Sequence, residues 1–126
     1  MRYQPDPAPR PLDHLAELAG ANARGARPAL VLRDRVLNHE ELRQRVALLA
    51  GWLARKVPER GARVASWAAK GELTCMLPLA AARAGLVHVP INPLLKRAQV
   101  AHILADSGAV LLMATPSRVA TLEAGD

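Results

Sequence analysis

The sequence predicts an α/β fold, in which a parallel sheet and flanking helices form a three-layer arrangement. The region from Gly61 to Ala114 alternates strand and helix patterns, as is typical of parallel strands joined by helical crossovers. Its middle strand, residues 86–91, is a continuous apolar run, which favours a strand covered on both faces. The strands over residues 63–68, 86–91 and 109–114 are therefore expected to be parallel neighbours with right-handed connections.

The N-terminal part divides into a proline-rich arm and a helix pattern. Four prolines stand among residues 1–11, which predicts an extended arm there and a folded unit over residues 12–126. Gly25 ends a predicted helix whose apolar residues are Leu12, Leu15, Ala16, Leu18, Ala19 and Ala23. Residues 29–33 and 36–37 then predict two short strands, joined by a tight turn at Asp34 and Arg35.

Asn38 begins the clearest helix pattern. Asn38 and Glu41 have the spacing of a capping box, in which each side chain accepts a hydrogen bond from the backbone N–H of the other residue. One apolar stripe follows, formed by Leu42, Val46, Leu49, Ala50 and Leu53. Pro58 predicts the end of the helix at Val57, because a residue before proline avoids helical dihedral angles.

Two further helices are predicted between the strands, over residues 71–84 and 95–107. Gly85 and Gly108 stand directly after them, where a left-handed glycine commonly ends a helix. Pro78 lies inside the first of these helices and is expected to kink it or delay its start, because proline supplies no N–H to the preceding turn. Residues 115–117 predict the opening of a last helical turn.

The net charge of +6 comes mostly from arginine and is spread along the chain. The longest basic run has two residues, and the aromatic residues are Tyr3, Trp52 and Trp67. A nucleic-acid surface is not expected, since such surfaces combine clustered cations with aromatic side chains. The charges are interpreted as solvated faces, or as the charge balance of one part of a larger protein.

Cys75 is the single cysteine, which excludes an intramolecular disulfide and favours a reducing compartment. Its apolar neighbours predict a buried, unreactive thiol. The N-terminus lacks the apolar region of a signal peptide. The most apolar stretch, residues 73–91, contains Pro78, Arg83 and Gly85, so no membrane span is predicted. The expected location is cytoplasmic.

No group of residues has the spacing of a catalytic or metal site. The histidines, His14, His39, His88 and His102, lack the i, i+4 spacing of a metal-binding helix. His88 lies in an apolar strand, which favours a hydrogen-bonded core histidine over a ligand. No catalytic, cofactor-binding or metal-binding residue is predicted.

The turn over residues 68–72 is the candidate phosphate site, because it lies between a strand and a helix start. It has one glycine, Gly71, and matches neither the Rossmann nor the P-loop pattern. Lys70 could meet an anion there, although a solvated lysine is the simpler interpretation. The sequence Pro90-Ile91-Asn92-Pro93 predicts a rigid exit from the sheet, with Asn92 bonding its own backbone.

Several segments resemble the N-terminal region of AMP-forming acyl-CoA synthetases. Residues 37–42 are similar to the family's Leu-Thr-Tyr-x-Glu-Leu element, with Asn and His in place of Thr and Tyr. Residues 61–64 are similar to its Gly-Asp-x-Val turn, and residues 84–93 match its Ala-Gly-x-x-x-Val-Pro-x-Asn-Pro element. Residues 94–100 most resemble acyl-CoA ligases associated with exosortase and exopolysaccharide gene clusters.

This resemblance implies the N-terminal part of the large domain of an adenylate-forming ligase. Such enzymes couple a carboxylic acid to ATP, giving an acyl-adenylate and pyrophosphate, and then pass the acyl group to CoA. ATP, Mg²⁺ and CoA are the cofactors implied for the full-length family. The family's phosphate loop, Tyr-Gly-x-Thr-Glu segment, ribose-binding aspartate and catalytic lysine have no counterpart in this sequence. No position inherits a catalytic role, and the chain alone is expected to be inactive.

Two hypotheses remain for the function. The chain is either an N-terminal fragment of such a ligase, whose partner is the remainder of the ligase domain, or a free-standing α/β binding or interaction module. On the first hypothesis, the remainder of the ligase domain would normally cover the last strand, residues 109–114. Leu111, Leu112 and Met113 supply apolar groups to both of its faces, which predicts self-association.

Overall fold

The computed structural model describes residues 25–126. The predicted arm over residues 1–11 and the helix pattern over residues 12–23 lie outside the described residues. Within them, the elements in chain order are β1 (Pro28–Val31), β2 (Val36–Asn38), α1 (His39–Lys56), β3 (Arg63–Trp67), α2 (Glu72–Arg83), β4 (Val87–Pro90), α3 (Arg97–Ser107), β5 (Leu111–Ala114) and α4 (Pro116–Val119).

Strands β1 and β2 form an antiparallel hairpin, as the sequence predicts. Leu30 pairs with Leu37 and Val31 with Val36. Strand β1 ends at Val31, two residues before the predicted end, because the turn already begins at Leu32, whose N–H donates to the Arg35 carbonyl at 2.8 Å.

The predicted capping box at the start of α1 is confirmed. The Asn38 Oδ1 accepts from the Glu41 N–H at 2.8 Å, and a Glu41 carboxylate oxygen accepts from the Asn38 N–H at 2.8 Å. The helix buries Leu42, Val46, Ala50 and Leu53, while Leu49 is only half-buried. Val57 caps the helix, so the predicted end is also confirmed.

The three-stranded sheet has the order β4–β3–β5, and both pairings are parallel. Val64 is level with His88 on one side and Leu111 on the other. The prediction of three parallel neighbouring strands is confirmed. The sheet lies at the centre of the molecule because apolar side chains point from it in both directions.

The two faces of the sheet pack against different helices. On one face Val64 packs with buried residues of α1 and α2, including Val46, Leu53 and Leu77. On the other face Ala65 and Trp67 pack with Val100 of α3. This is the predicted three-layer α/β arrangement.

Helix α2 runs unbroken through Pro78. Its start at Glu72 is not delayed, contrary to one of the two predicted effects of this proline. Pro78 is exposed, so water can bond the carbonyl that proline leaves without a donor. The helix ends in a Schellman arrangement, in which Gly85 has φ +75° and the Leu86 N–H donates to the Ala81 carbonyl at 2.8 Å.

The segment after β5 folds back towards α3. Thr115 caps the short helix α4, with Pro116 at its first position. Arg97 of α3 donates to the two carboxylate oxygens of Asp126 at 2.7 and 2.9 Å. Leu122 joins the apolar cluster between the sheet and α3. No helix within residues 25–126 is long and apolar enough to cross a membrane.

Candidate functional site

The carboxyl ends of β3 and β5 form the candidate site. Helix α2 connects β3 to β4 on one face, and α3 connects β4 back across β3 to β5 on the other face. The chain therefore leaves β3 for β4 over one face of the sheet and reaches β5, on the other side of β3, over the opposite face. This makes the gap between β3 and β5 a topological switch point. Open α/β sheets usually bind ligands outside the carboxyl ends of their strands at such a point.

The turn after β3 leads into the start of α2, where a hydrogen bond and a cluster of ion pairs form. Gly71, the residue before α2, has an extended backbone, and its N–H donates to the Thr74 Oγ1 at 2.9 Å. Glu72 lies in the first turn of α2, where its carboxylate is ion-paired with Arg35 and with the Arg45 Nη1, the latter at 2.5 Å. This carboxylate complements the positive end of the helix dipole. This cluster could not be predicted from the sequence because its members come from the hairpin, α1 and α2.

The same turn does not fit a triphosphate. A phosphate cradle needs several backbone N–H groups that converge on the anion, usually from a glycine-rich loop. Here the one glycine is extended and the helix start already holds the Glu72 carboxylate, which repels a phosphate. Lys70 is exposed on this turn. Within residues 25–126, no three histidine, cysteine, aspartate or glutamate residues are grouped as a metal site.

Arg118 links the carboxyl ends of all three strands. Its guanidinium donates to the Pro93 carbonyl at 3.4 Å and to the Thr115 Oγ1 at 3.2 Å. It also lies over the Trp67 ring, 6.0 Å from the ring centre. The buried Trp67 Nε1 has no hydrogen-bond partner within the described part of the chain. Through its contacts with Pro93, Thr115 and Trp67, Arg118 holds the segments after β4 and β5 against the carboxyl end of β3.

The exit from β4 has the rigidity that its two prolines predict. The Asn92 Oδ1 accepts from the Leu94 N–H at 2.9 Å, and the Asn92 carbonyl accepts from the Leu95 N–H at 3.1 Å. The predicted bonding of Asn92 to its own backbone is confirmed. This turn directs the chain from β4 towards α3.

His88 forms a hydrogen bond in the sheet, as the sequence predicts, although it is half-buried and not fully buried. Its Nε2 is 2.8 Å from the Ser66 Oγ, and burial lowers the pKa of His88 below its usual value. A serine and a histidine at this distance resemble a nucleophile and its base. However, Ser66 is only 4% exposed in the central strand, so no substrate carbonyl can reach its hydroxyl. The pair serves to satisfy two polar groups between neighbouring strands.

The other histidines do not join His88. His39 is the first residue of α1, and His102 is exposed on α3. His14 lies outside the described residues. The Ser66–His88 pair could not be predicted from the sequence because only the register of β3 and β4 brings these residues together.

Cys75 is exposed, and the prediction of a buried thiol is wrong. Helix α2 turns Met76, Leu77, Ala80 and Ala81 towards the core, and the helical period leaves Cys75 on the opposite face. Apolar neighbours along the chain are therefore not its neighbours in space.

An open cavity of about 320 Å³ lies at the amino ends of β3 and β5, beside Arg60, Arg63 and Gly108. The Arg63 Nη1 donates to the Ser107 carbonyl at 2.7 Å, at the C-terminal end of α3. A cation at a helix C-terminus neutralises the exposed carbonyls. Arg63 therefore stabilises the C-terminal end of α3.

Comparison with known proteins places this geometry in a family. Residues 18–125 match the family described as "AMP-binding enzyme". Bacitracin synthase 2 of Bacillus licheniformis is 33% identical over 86 residues, which cover 68% of this chain and 3% of that protein. An L-proline–[L-prolyl-carrier protein] ligase of Pseudomonas fluorescens is 32% identical over 94 residues, which cover 75% of this chain and 19% of that protein.

A solved structure gives the same result at the level of the fold. A benzoate CoA ligase from Burkholderia xenovorans superposes with a TM-score of 0.78 and 23% identity, covering 87% of this chain and 22% of that one. The chain thus spans less than a quarter of each of these proteins. Its fold is that of the N-terminal part of the large domain of adenylate-forming ligases. The resemblance to adenylate-forming ligases is confirmed, and the chain belongs to the AMP-binding enzyme family.

Proposed function

We propose that this chain is the N-terminal structural part of an AMP-forming acid–thiol ligase, which activates a carboxylic acid with ATP and transfers the acyl group to CoA. The match of residues 18–125 to the family carries this proposal. In this proposal the parallel sheet, whose carboxyl ends are linked by Arg118, forms one layer of the ligase domain. The remainder of the ligase domain, as the chain's partner, supplies the groups that bind ATP, Mg²⁺ and CoA.

For the substrate we propose only its class, a carboxylic acid. The resemblance to acyl-CoA ligases favours a fatty acid. The relatives are named for other acids, since one activates proline and one benzoate. A test panel therefore includes fatty, aryl and amino acids.

The described residues supply no group that orients a triphosphate or a carboxylate, so the chain alone is expected to release no pyrophosphate from ATP. Pyrophosphate release with the acid panel, Mg²⁺ and CoA tests this, with a buffer control and a control from cells that carry the empty expression vector. The expected rate is that of the controls. Turnover clearly above both would show that residues of this chain catalyse adenylation.

The free-standing binding module is the alternative function. The genomic sequence directly after the codon for Asp126 discriminates between the two. An open reading frame that encodes a Ser/Thr/Gly-rich loop ending in Pro-Lys within a few dozen codons supports the ligase. A stop codon, together with detection of the short protein in cells, supports the module.

We propose a cytoplasmic location on the grounds of the single cysteine and the reducing compartment that it favours. Because Cys75 is exposed, the thiol itself can report the location. In a reducing compartment it remains available to a membrane-permeant maleimide and protected from an impermeant one. Labelling of intact cells by the impermeant reagent would exclude this location.

A further inference from the structure

The hairpin of β1 and β2 is fixed at its base by backbone hydrogen bonds and apolar packing. The His39 N–H donates to the Arg27 carbonyl, and the Glu40 N–H donates to the Gly25 carbonyl, both at 3.1 Å. Leu37 of β2 is buried. These contacts hold the end of the hairpin that leads into α1.

The tip of the hairpin, residues 31–36, is held in a different way. The Leu32 N–H bonds to the Arg35 carbonyl inside the turn. Within residues 25–126, no residue of the tip belongs to either apolar core. In the same part of the chain, the side-chain contact that joins the tip to the helices is the ion pair between Arg35 and Glu72. The tip is thus held by charge, whereas the base is held by the backbone and by apolar packing.

Glu72 is a fixed and largely desolvated partner for this ion pair. Its side chain is 14% exposed, whereas those of Arg35 and Arg45 are 45% and 43% exposed. The first turn of α2 holds it where the helix dipole favours a carboxylate. Its Oε2 pairs with Arg35 of the tip, while its Oε1 pairs with Arg45 of α1. A charge that is partly removed from water attracts its partner more strongly than a fully exposed one does.

We infer that the Arg35–Glu72 pair is a latch, which closes the hairpin tip against the start of α2 and at which the hairpin opens. Opening breaks this pair and leaves the base in place, since regions with few buried apolar contacts open at low local free energy. Glu72 follows the turn after β3, so the latch sets the position of the hairpin beside the carboxyl end of that strand. This inference does not depend on the proposed function.

Hydrogen exchange of single backbone amides in the full chain, measured by NMR, tests the latch. Glu72→Gln keeps the size of the side chain and removes its charge. It is expected to speed exchange of the Leu32 N–H by at least about threefold. The Ile91 and Val110 N–H groups, which donate to β3, are expected to keep their rates, because opening of the tip leaves the sheet intact. Equal acceleration of all three amides would show that Glu72 supports the whole fold, and would overturn the latch.

Arg35→Gln keeps the inference testable if Glu72→Gln fails to fold, because Arg35 lies at the hairpin turn and is well exposed. It is expected to speed Leu32 exchange as much as Glu72→Gln does. The double variant is expected to add nothing, since both changes remove the same pair. Arg45→Gln is the matched control: it removes the other arginine of the same carboxylate, and is expected to leave Leu32 exchange unchanged. Equal effects of Arg35→Gln and Arg45→Gln would contradict a latch at the tip.

Salt provides a test that a merely structural role of Arg35 would not pass. Raising the NaCl concentration from about 0.01 M to about 1 M shortens the screening length from roughly 30 Å to roughly 3 Å. This is expected to speed Leu32 exchange in the wild type and in Arg35→Lys, which keeps the charge, and to have little effect in Arg35→Gln. The same salt response in all three proteins would mean that other contacts hold the tip, and the inference would be wrong.

Discussion

Asn38 and Glu41 show how two side chains fix the start of α1. Each accepts the backbone N–H of the other at 2.8 Å, so two donors at the helix start are satisfied without water. The pair was predictable from the sequence because a capping box depends only on residues three apart. The interaction is local, and its contribution can be measured with single substitutions.

Asn38→Ala is expected to lower the free energy of unfolding by about 1 kcal/mol, since it removes the cap of the Glu41 N–H. Asn38→Asp keeps an acceptor oxygen and is expected to retain most of the stability. Urea unfolding followed by circular dichroism measures both. Equal stability of Asn38→Ala and the wild type would mean that water replaces the cap without cost.

His88 gives the protein a pH dependence with a definite sign. Burial lowers the pKa of His88 below 6.5 in the folded state. Between that lowered pKa and 6.5 the unfolded chain therefore binds more protons, and stability falls as pH falls through this window. His88→Gln can keep a hydrogen bond to Ser66 without titrating, and is expected to flatten the dependence. Parallel pH profiles for the wild type and His88→Gln would contradict this.

At the scale of the element, the sequence predicted what depends on neighbours along the chain. The parallel strands followed from continuous apolar runs and the helix ends from Gly85 and Gly108, which have φ of +75° and +64°. Predicted bounds differed by one or two residues, because the strand pattern extends into the turns at Leu86 and Ala109. Fraying of this kind is common at element ends.

What the sequence could not predict depends on register and helix rotation. The Ser66–His88 bond requires β3 and β4 to be aligned, and the Glu72 cluster requires α1, α2 and the hairpin to meet. The exposure of Cys75 depends on which face α2 turns inward. That the turn over residues 68–72 is not a glycine-rich phosphate loop could be predicted from the sequence directly, because such a loop is a local pattern.

Two glycines test how backbone conformation decides the effect of one methyl group. Gly51 lies inside α1, where an added Cβ would meet only the flexible Arg55 Nη1 at 3.6 Å. Gly51→Ala is expected to stabilise the protein by about 0.5–1 kcal/mol. Gly108 has φ +64°, so Gly108→Ala is expected to destabilise it by about 1–2 kcal/mol although space is open there. Thermal unfolding of both variants measures these shifts, and effects of the same sign would refute the argument.

At the scale of the whole molecule, the sheet separates two apolar cores. Val46 of α1 belongs to the core on one face and Val100 of α3 to the core on the other, and both are fully buried. The two cores share β3, whose alternate residues Val64 and Ala65 each enter one of them. Because both cores depend on the same strand, the described fold is expected to unfold as one unit.

Val46→Ala and Val100→Ala are a matched pair, since each removes two buried methyl groups. Each is expected to lower the free energy of unfolding by about 2 kcal/mol, from lost burial and the cavity that remains. The double variant is expected to lose the sum within about 0.5 kcal/mol, because the two side chains lie on opposite faces and share no partner. Denaturant unfolding in a Trp52→Phe background, monitored by Trp67 fluorescence on the α3 face and by circular dichroism overall, measures this. A double variant that unfolds in two steps, with the fluorescence change separated from the helix signal, would show that the cores are independent despite their common strand.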